Sequence, residues 1–282
     1  MLTRLATGLT GLLLTMSPLC AGEVEIERMT SPEVREAIAA GKTTIIIPTG
    51  GTEQNGPHMV IGKHNFIVKE TARRIAERLG NALVAPVLAY VPEGDIDKRE
   101  GHMAYPGTIS VPPSIYSQVL ESAAASFRIE GFKTIVFLGD SGPNQEPQRA
   151  IAQKLSAAWA KEGARVVQPD SYYGANGGLE WLKSQGESDA AIGLHAAIRD
   201  TSELMAVFPE GIRAGRAVAD KDGVIGDPTR ATAERGKKLI ELKVEAAVKD
   251  IEAAIKAPPG SVLAPVDGES GFFRRLLRRL FG

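Results

Sequence analysis

Thr44-Ile45-Ile46-Ile47-Pro48-Thr49-Gly50-Gly51-Thr52-Glu53-Gln54-Asn55-Gly56-Pro57-His58, running on to Lys63-His64-Asn65, is the stretch that decides how this chain is read. An apolar β-branched run breaks abruptly into proline, glycine and polar residues. A continuous apolar run suits a parallel strand covered on both faces, because neither face meets water. In open α/β sheets ligands sit in the crevice beyond the carboxyl ends of the strands. Here that crevice would receive the Glu53 carboxylate, the Asn55 amide and the imidazoles of His58 and His64. A carboxylate and a histidine on a turn of this composition form half of a metal site. The alternative is a polar loop that caps a helix starting near Asn65.

Upstream, Ser31-Pro32-Glu33-Val34 opens a helix with serine as N-cap and proline at the first helical position. Downstream, residues 66–79 carry apolar side chains at helical spacing and stop at Gly80. Residues 82–88 read as the next buried strand, and 113–129 as a helix closed by Gly131. A second strand of the same kind, 134–138, empties into Gly139-Asp140-Ser141-Gly142-Pro143-Asn144-Gln145. A helix over 147–161, a short strand over 165–168, an apolar helix over 203–207 and a long amphipathic helix over 229–255 follow, the last signalled by Asp227-Pro228. Strands alternating with helices predict an α/β protein, a three-layer α/β/α sandwich with a mostly parallel sheet. The irregular excursion over 92–110 is long for a compact domain, and such loops serve as lids or binding loops.

Residues 1–21 read as a secretory signal. Arg4 supplies the positive start, 5–16 the apolar segment and Ser17-Pro18-Leu19-Cys20-Ala21 a small-residue end, too short to span a bilayer as an anchor. Cleavage after Ala21 is expected; Leu19 before Cys20 is a poor match to a lipidation site. The domain then covers 22–257 and is exported, periplasmic or otherwise extracytoplasmic. Cys20 is the chain's single cysteine, so the exported part is held by its core without disulfides. A net charge of −1 and 5% aromatic residues give neither the field nor the stacking surface that nucleic acid requires. Residues 258–282 form a linker and a basic tail. Within it, 272–281 alternates paired apolar residues with paired arginines, as an interfacial helix attracted to anionic lipid does. Docking of that tail on the protein's own surface, or on a neighbouring subunit, is the alternative.

The chain has four histidines, His58, His64, His102 and His195, and each falls in one of the loops just described. Imidazole is the commonest metal ligand and is poised for proton transfer near neutral pH. This clustering points to a shared site, although His58 and His102 could equally hydrogen-bond loop backbone.

Four ordered segments carry a family resemblance: 48–58, Tyr105-Pro106-Gly107-Thr108, 139–144 and 195–202. Together they resemble the signature segments of the creatininase family of amidohydrolases. The resemblance implies an α/β/α fold, a divalent metal site (zinc or manganese), hydrolysis of a small cyclic or linear amide, and assembly into homo-oligomers, hexamers in the family. The family's first metal segment reads Glu-Gln-His-Gly-Pro-His, followed by an aspartate that bridges two metals. Here Glu53 is kept, while Asn55 stands for the histidine and His64 for the aspartate. In the second segment Ser141 replaces the ligand histidine, with Asp140 one step earlier. Near His195 the family's Glu-x-Glu has become Ile198-Arg199-Asp200. An imidazole cannot bridge two cations as a carboxylate does, so the expectation is one ion rather than two, held by Glu53, His64 and Asp140. His195 would move the proton to the leaving nitrogen and Asn55 would steady the oxyanion. Ser141, Asn144 and His102 would contact substrate. The alternative is a fold that has kept its loops, lost catalysis and binds a small molecule or partner.

Overall fold

The computed structural model describes residues 22–258; the signal read at 1–21 and the amphipathic tail at 272–281 lie outside them. The chain runs α1 (Ser31–Ala39), β1 (Thr44–Thr49), α2 (Lys63–Leu79), β2 (Ala82–Val84), α3 (Pro113–Glu130), β3 (Thr134–Gly139), α4 (Gln145–Trp159) and β4 (Arg165–Val167). Four short to medium helices follow: α5 (Asp170–Gly174), α6 (Gly178–Ser184), α7 (Asp189–Ile192) and α8 (Ile198–Val207). The long α9 (Ala233–Lys256) ends the domain. Among the described residues no helix is long and apolar enough to cross a membrane.

The four strands form one parallel sheet in the order β2-β1-β3-β4. Every residue of β1 and β3 is buried, as the apolar runs require. Alternate side chains go to opposite faces. Ile46, Val84, Val136, Leu138 and Val167 pack with residues of α2, α5 and α9. Ile45, Ile47, Leu83, Ile135, Phe137 and Val166 pack with residues of α1, α3 and α4. The sheet is thus the middle of three layers, as expected.

Three of the boundaries that differ from the sequence reading do so for a clear local reason. The strand expected over 82–88 ends at Val84, because Pro86 offers no N–H to the ladder; only an isolated bridge, Thr49 to Leu88, marks its continuation. Helix α2 begins at Lys63 without a side-chain cap, so the usual N-terminal signal is missing and Lys63 and His64 ride on its first turn. Asp227 caps a separate turn at Pro228–Arg230, and α9 starts later, where the Thr232 hydroxyl accepts from the Arg235 N–H at 3.2 Å.

The C-terminal end of β1 is pinned by polar contacts. The Thr49 hydroxyl is approached by Tyr116 Oη of α3 at 3.0 Å, Gln148 Nε2 of α4 at 2.6 Å and Asn144 Nδ2 at 3.1 Å. These contacts fix where the β1 and β3 loops leave the sheet. On the other side α8 and α9 approach closely at Gly236, where a Cβ would stand 1.7 Å from the Ser202 carbonyl oxygen. Glycine inside an exposed helix costs about 1 kcal/mol relative to alanine, yet here there is no room for the methyl. Gly236→Ala is therefore expected to destabilise the domain by about 1–3 kcal/mol in urea unfolding; a stabilised variant would show that the two helices can separate freely.

Candidate active site

The loops after β1 and β3 meet the first turn of α2 around one imidazole. His64 Nδ1 lies 2.8 Å from Asp140 Oδ2, and Nε2 lies 2.8 Å from Glu53 Oε1. The three residues expected to share an ion do come together, as a carboxylate–imidazole–carboxylate bridge. Both ring nitrogens are committed, so in this arrangement His64 has no lone pair for a cation, which corrects its expected role as a ligand. Asp140 is committed as well: its other oxygen receives Lys243 Nζ at 2.6 Å and Tyr172 Oη at 2.9 Å.

Two buried lysines complete this charge network. Lys243, from the core face of α9, also reaches Glu203 of α8 at 2.8 Å. Lys63 lies 3.1 Å from Asp200 and 3.7 Å from Glu53. Asp200 in turn accepts the Ala196 N–H at 2.7 Å. Burial works against charge at each of these groups, and the partners outweigh it. Burial and Lys63 both oppose protonation of His64, but its hydrogen bonds to Asp140 and Glu53 hold its pKa above the ordinary 6.5. Against burial, Lys243 and His64 hold Asp140 down at about 2. Burial is likewise overcome at Asp200, where Lys63 and Arg199 depress the carboxyl, and the Glu53 carboxyl is also held low, the hydrogen bond from His64 being among the causes.

The open side of Glu53 faces the other two histidines. Glu53, His102 and His195 each present a ligand atom, all within 4.8 Å of one another. The rings of His102 and His195 stand 4.5 Å apart, tilted by 59°. Their protons sit differently. His195 Nε2 lies 2.9 Å from the Gln54 carbonyl oxygen, which accepts only, so Nε2 carries the hydrogen. Its Nδ1 lone pair then faces Glu53 Oε1 at 3.8 Å. Two acceptors facing each other at that distance suit a cation bound at about 2.0–2.2 Å from each. Burial drives the His195 pKa down to about 4, so the ring is neutral and available as a donor of electrons near pH 7.

His102 is the opposite case. Gln54 Oε1 accepts the Gly56 N–H at 3.0 Å and its Nε2 donates to the Gly223 carbonyl at 3.2 Å, which fixes the amide. That same Nε2 is 3.1 Å from His102 Nδ1. Nδ1 therefore accepts, and Nε2–H is turned toward Glu53 Oε2, 3.4 Å away. Burial lowers the His102 pKa too. Ligation through Nε2 would need the other tautomer and a turned Gln54 amide.

The remaining expected residues are structural or indirect. Asn55 Nδ2 points at the carbonyls of Glu53, Val60 and Ile61 (2.9, 3.4 and 3.5 Å), so its N–H groups are spent on the loop and cannot serve an oxyanion. Asn144 Nδ2 is spent on Thr49 and on the Gly50 carbonyl at 2.8 Å, which ties the two loops together instead of meeting substrate. His58 is buried, with Nε2 3.0 Å from Thr201 Oγ1. Ser141 donates to Glu93 Oε2 at 3.2 Å.

Lys63, Glu93, Asp200, Glu203 and Lys243 were not expected among the site residues. For Lys243 a signal was there: in the series Leu239, Ile240, Lys243, Val244, Ala247 and Ile251 it is a lysine at a core position of the helical repeat. Glu93 had none, since it lies in the aperiodic excursion.

The two proton arrangements have opposite signs in stability. Folding raises the His64 pKa, so its contribution is fully present below 6.5 and lost as pH rises through the raised folded value. Folding lowers His195, so its contribution is present above 6.5 and lost as pH falls toward about 4. Nitrogen-15 NMR of the imidazoles in metal-free protein is expected to show His64 doubly protonated at pH 6.5 and His195 carrying hydrogen on Nε2 alone. A neutral His64 at that pH would contradict the bridge.

A family model described as creatininase, creatinine amidohydrolase, matches residues 27–251. The mycofactocin precursor peptide peptidase of Mycobacterium ulcerans is 27% identical over 235 residues, covering 77% of this chain and 88% of the relative. The 3-dehydro-scyllo-inosose hydrolase of Thermotoga maritima is 24% identical over 283 residues, covering 86% and 88%. A solved manganese creatininase superposes with a TM-score of 0.69 at 20% identity, covering 83% of this chain and all of that one; at that identity the likeness is one of fold. The family match takes in all four strands and every residue of the site just described: this chain belongs to the creatininase family.

Proposed function

We propose that the chain is an amidohydrolase that works with one divalent ion, zinc or manganese, held by Glu53 and His195. The observation that carries this is the His195 Nδ1 lone pair facing Glu53 Oε1 at 3.8 Å with its own proton tied to the Gln54 carbonyl. Such an outer hydrogen bond is what orients a ligating histidine. A divalent ion there would polarise a carbonyl and make a bound water more acidic.

The chain's own residues do the rest. Glu53 is held in place by His64, so its orientation is set before substrate arrives. His102, neutral and carrying hydrogen on Nε2, would turn that N–H from Glu53 Oε2 to the carbonyl oxygen as negative charge develops, the part expected of Asn55. Lys63 keeps a positive charge 3.7 Å from Glu53 without offering a lone pair. Beside His195, the apolar side chains of Leu179, Ile192, Leu194 and Ala197 line a small cleft whose polar edge is Arg199 and Asp200. With relatives named for a precursor peptide and for an inosose, the substrate class is a small cyclic or peptide-like molecule. An exported setting for this activity accords with the leader read at 1–21.

A second reading has its own support. The lysines supply two positive charges within the site's own charge network, so the fold stands without an ion, as a binding protein would. Metal analysis of the dialysed protein, paired with assays on cyclic amides and short peptides, separates the two. The proposal expects about one ion per chain and hydrolysis lost on chelation, with His195→Ala lowering kcat/KM about a hundredfold or more. Ligand binding with no ion and no turnover would establish the binding protein instead.

A further inference from the structure

Glu53, His102 and His195 have the spacing of a three-ligand metal site, and three protein ligands are usual where an ion does catalysis. Yet His102 turns a hydrogen toward the shared space instead of a lone pair. We propose that Gln54 is the positioning residue that divides the two histidines, leaving His195 to the ion and withholding His102 from it as a hydrogen-bond donor. What this means for the ion rests on the function proposed above; where the protons sit does not.

Gln54 acts on the two rings through different atoms. Its main-chain carbonyl accepts from His195 Nε2 at 2.9 Å, a contact that any residue at this position could make. Its buried side chain acts on His102 and has no freedom to turn. The Gly56 N–H, 3.0 Å from Oε1, can only donate, and the Gly223 carbonyl, 3.2 Å from Nε2, can only accept. Exchanging the amide oxygen and nitrogen would set donor against donor and acceptor against acceptor. The carboxamide is also boxed in: a Cβ at Gly223, whose φ is +85°, would stand 2.1 Å from Oε1. The remaining hydrogen on Nε2 therefore goes to His102 Nδ1 at 3.1 Å. For His102 to ligate through its own Nε2, the ring hydrogen must move to Nδ1, where this amide opposes it. Thr108 ties the two residues a second time. Its hydroxyl accepts the Gln54 N–H at 3.1 Å and donates to the His102 carbonyl at 2.8 Å.

Two measurements on metal-free full-length protein test the assignment: nitrogen-15 NMR of the imidazoles at pH 7.5, where burial favours neutral rings, and calorimetric titration with manganese chloride. The parent is expected to carry hydrogen on Nε2 of both rings. Gln54→Glu offers His102 acceptors only, so His102 Nδ1 is expected to gain a hydrogen while His195 is unchanged. Manganese is then expected to bind at least about tenfold more tightly, since a third ligand is released. Gln54→Met removes the amide without adding charge, and it decides the matter if the glutamate variant fails to fold. It too is expected to bind manganese more tightly than the parent, while the exposed Glu146→Gln matches the parent in both measurements. A parent with hydrogen on His102 Nδ1, or a Gln54→Glu variant without it, overturns the role of Gln54. Binding by Gln54→Met no tighter than the parent's overturns the withheld ligand. If no form binds manganese, the proposed function falls, and the NMR spectra still decide whether Gln54 sets the tautomers.

Discussion

One imidazole held between two buried carboxylates sets the geometry of everything around it. His64 joins the loop after β1, through Glu53, to the loop after β3, through Asp140, with 2.8 Å on either side. Because it stands on the first turn of α2, the bridge also docks that helix against the ends of both central strands. Removing one partner of such a buried network leaves the other charges uncompensated, which costs several kcal/mol. A site built this way is rigid before any ligand arrives.

The bridge also explains why charges are so dense here. Glu53, Asp140, Asp200 and Glu203 are buried or nearly so, and they are matched by His64, Lys63, Lys243 and Arg199. Charges withdrawn from water persist only when paired and hydrogen-bonded. Where the family-like pattern would place a bridging carboxylate, this chain has a base that itself carries charge. Asp140, which the sequence offers as a ligand, is turned into the anchor of Lys243. What stays open is the side of Glu53 that faces His102 and His195.

The sheet was legible because two uninterrupted runs, 44–47 and 134–138, are short and rich in β-branched and apolar residues, as strands covered on both faces are. Helix α2 was legible in its periodic body but not at its start, since Gly62 gives no cap signal and the polar pair Lys63-His64 looks like loop. That shift turned His64 from a loop residue into a helical one. The convergence of Glu53, His64 and Asp140 was foreseen from their places at strand ends, yet residue type alone does not say whether a histidine between two carboxylates binds a cation or is one. Asn55 and Asn144 misled for a related reason: the carbonyls that consume their N–H groups belong to backbone, and backbone geometry leaves no trace in side-chain identity. Glu93 was invisible because a loop without period conceals which of its polar residues turns inward.

The account comes down to where a cation sits relative to His64. Anomalous scattering at the manganese edge, from crystals of the full-length protein grown with manganese chloride, locates the ion directly. A single peak between Glu53 and His195, with His64 still bonded to Asp140, is the predicted result. A peak between His64 and Asp140 would contradict it, because the imidazole would then be a ligand and the bridge only the form the protein takes without metal.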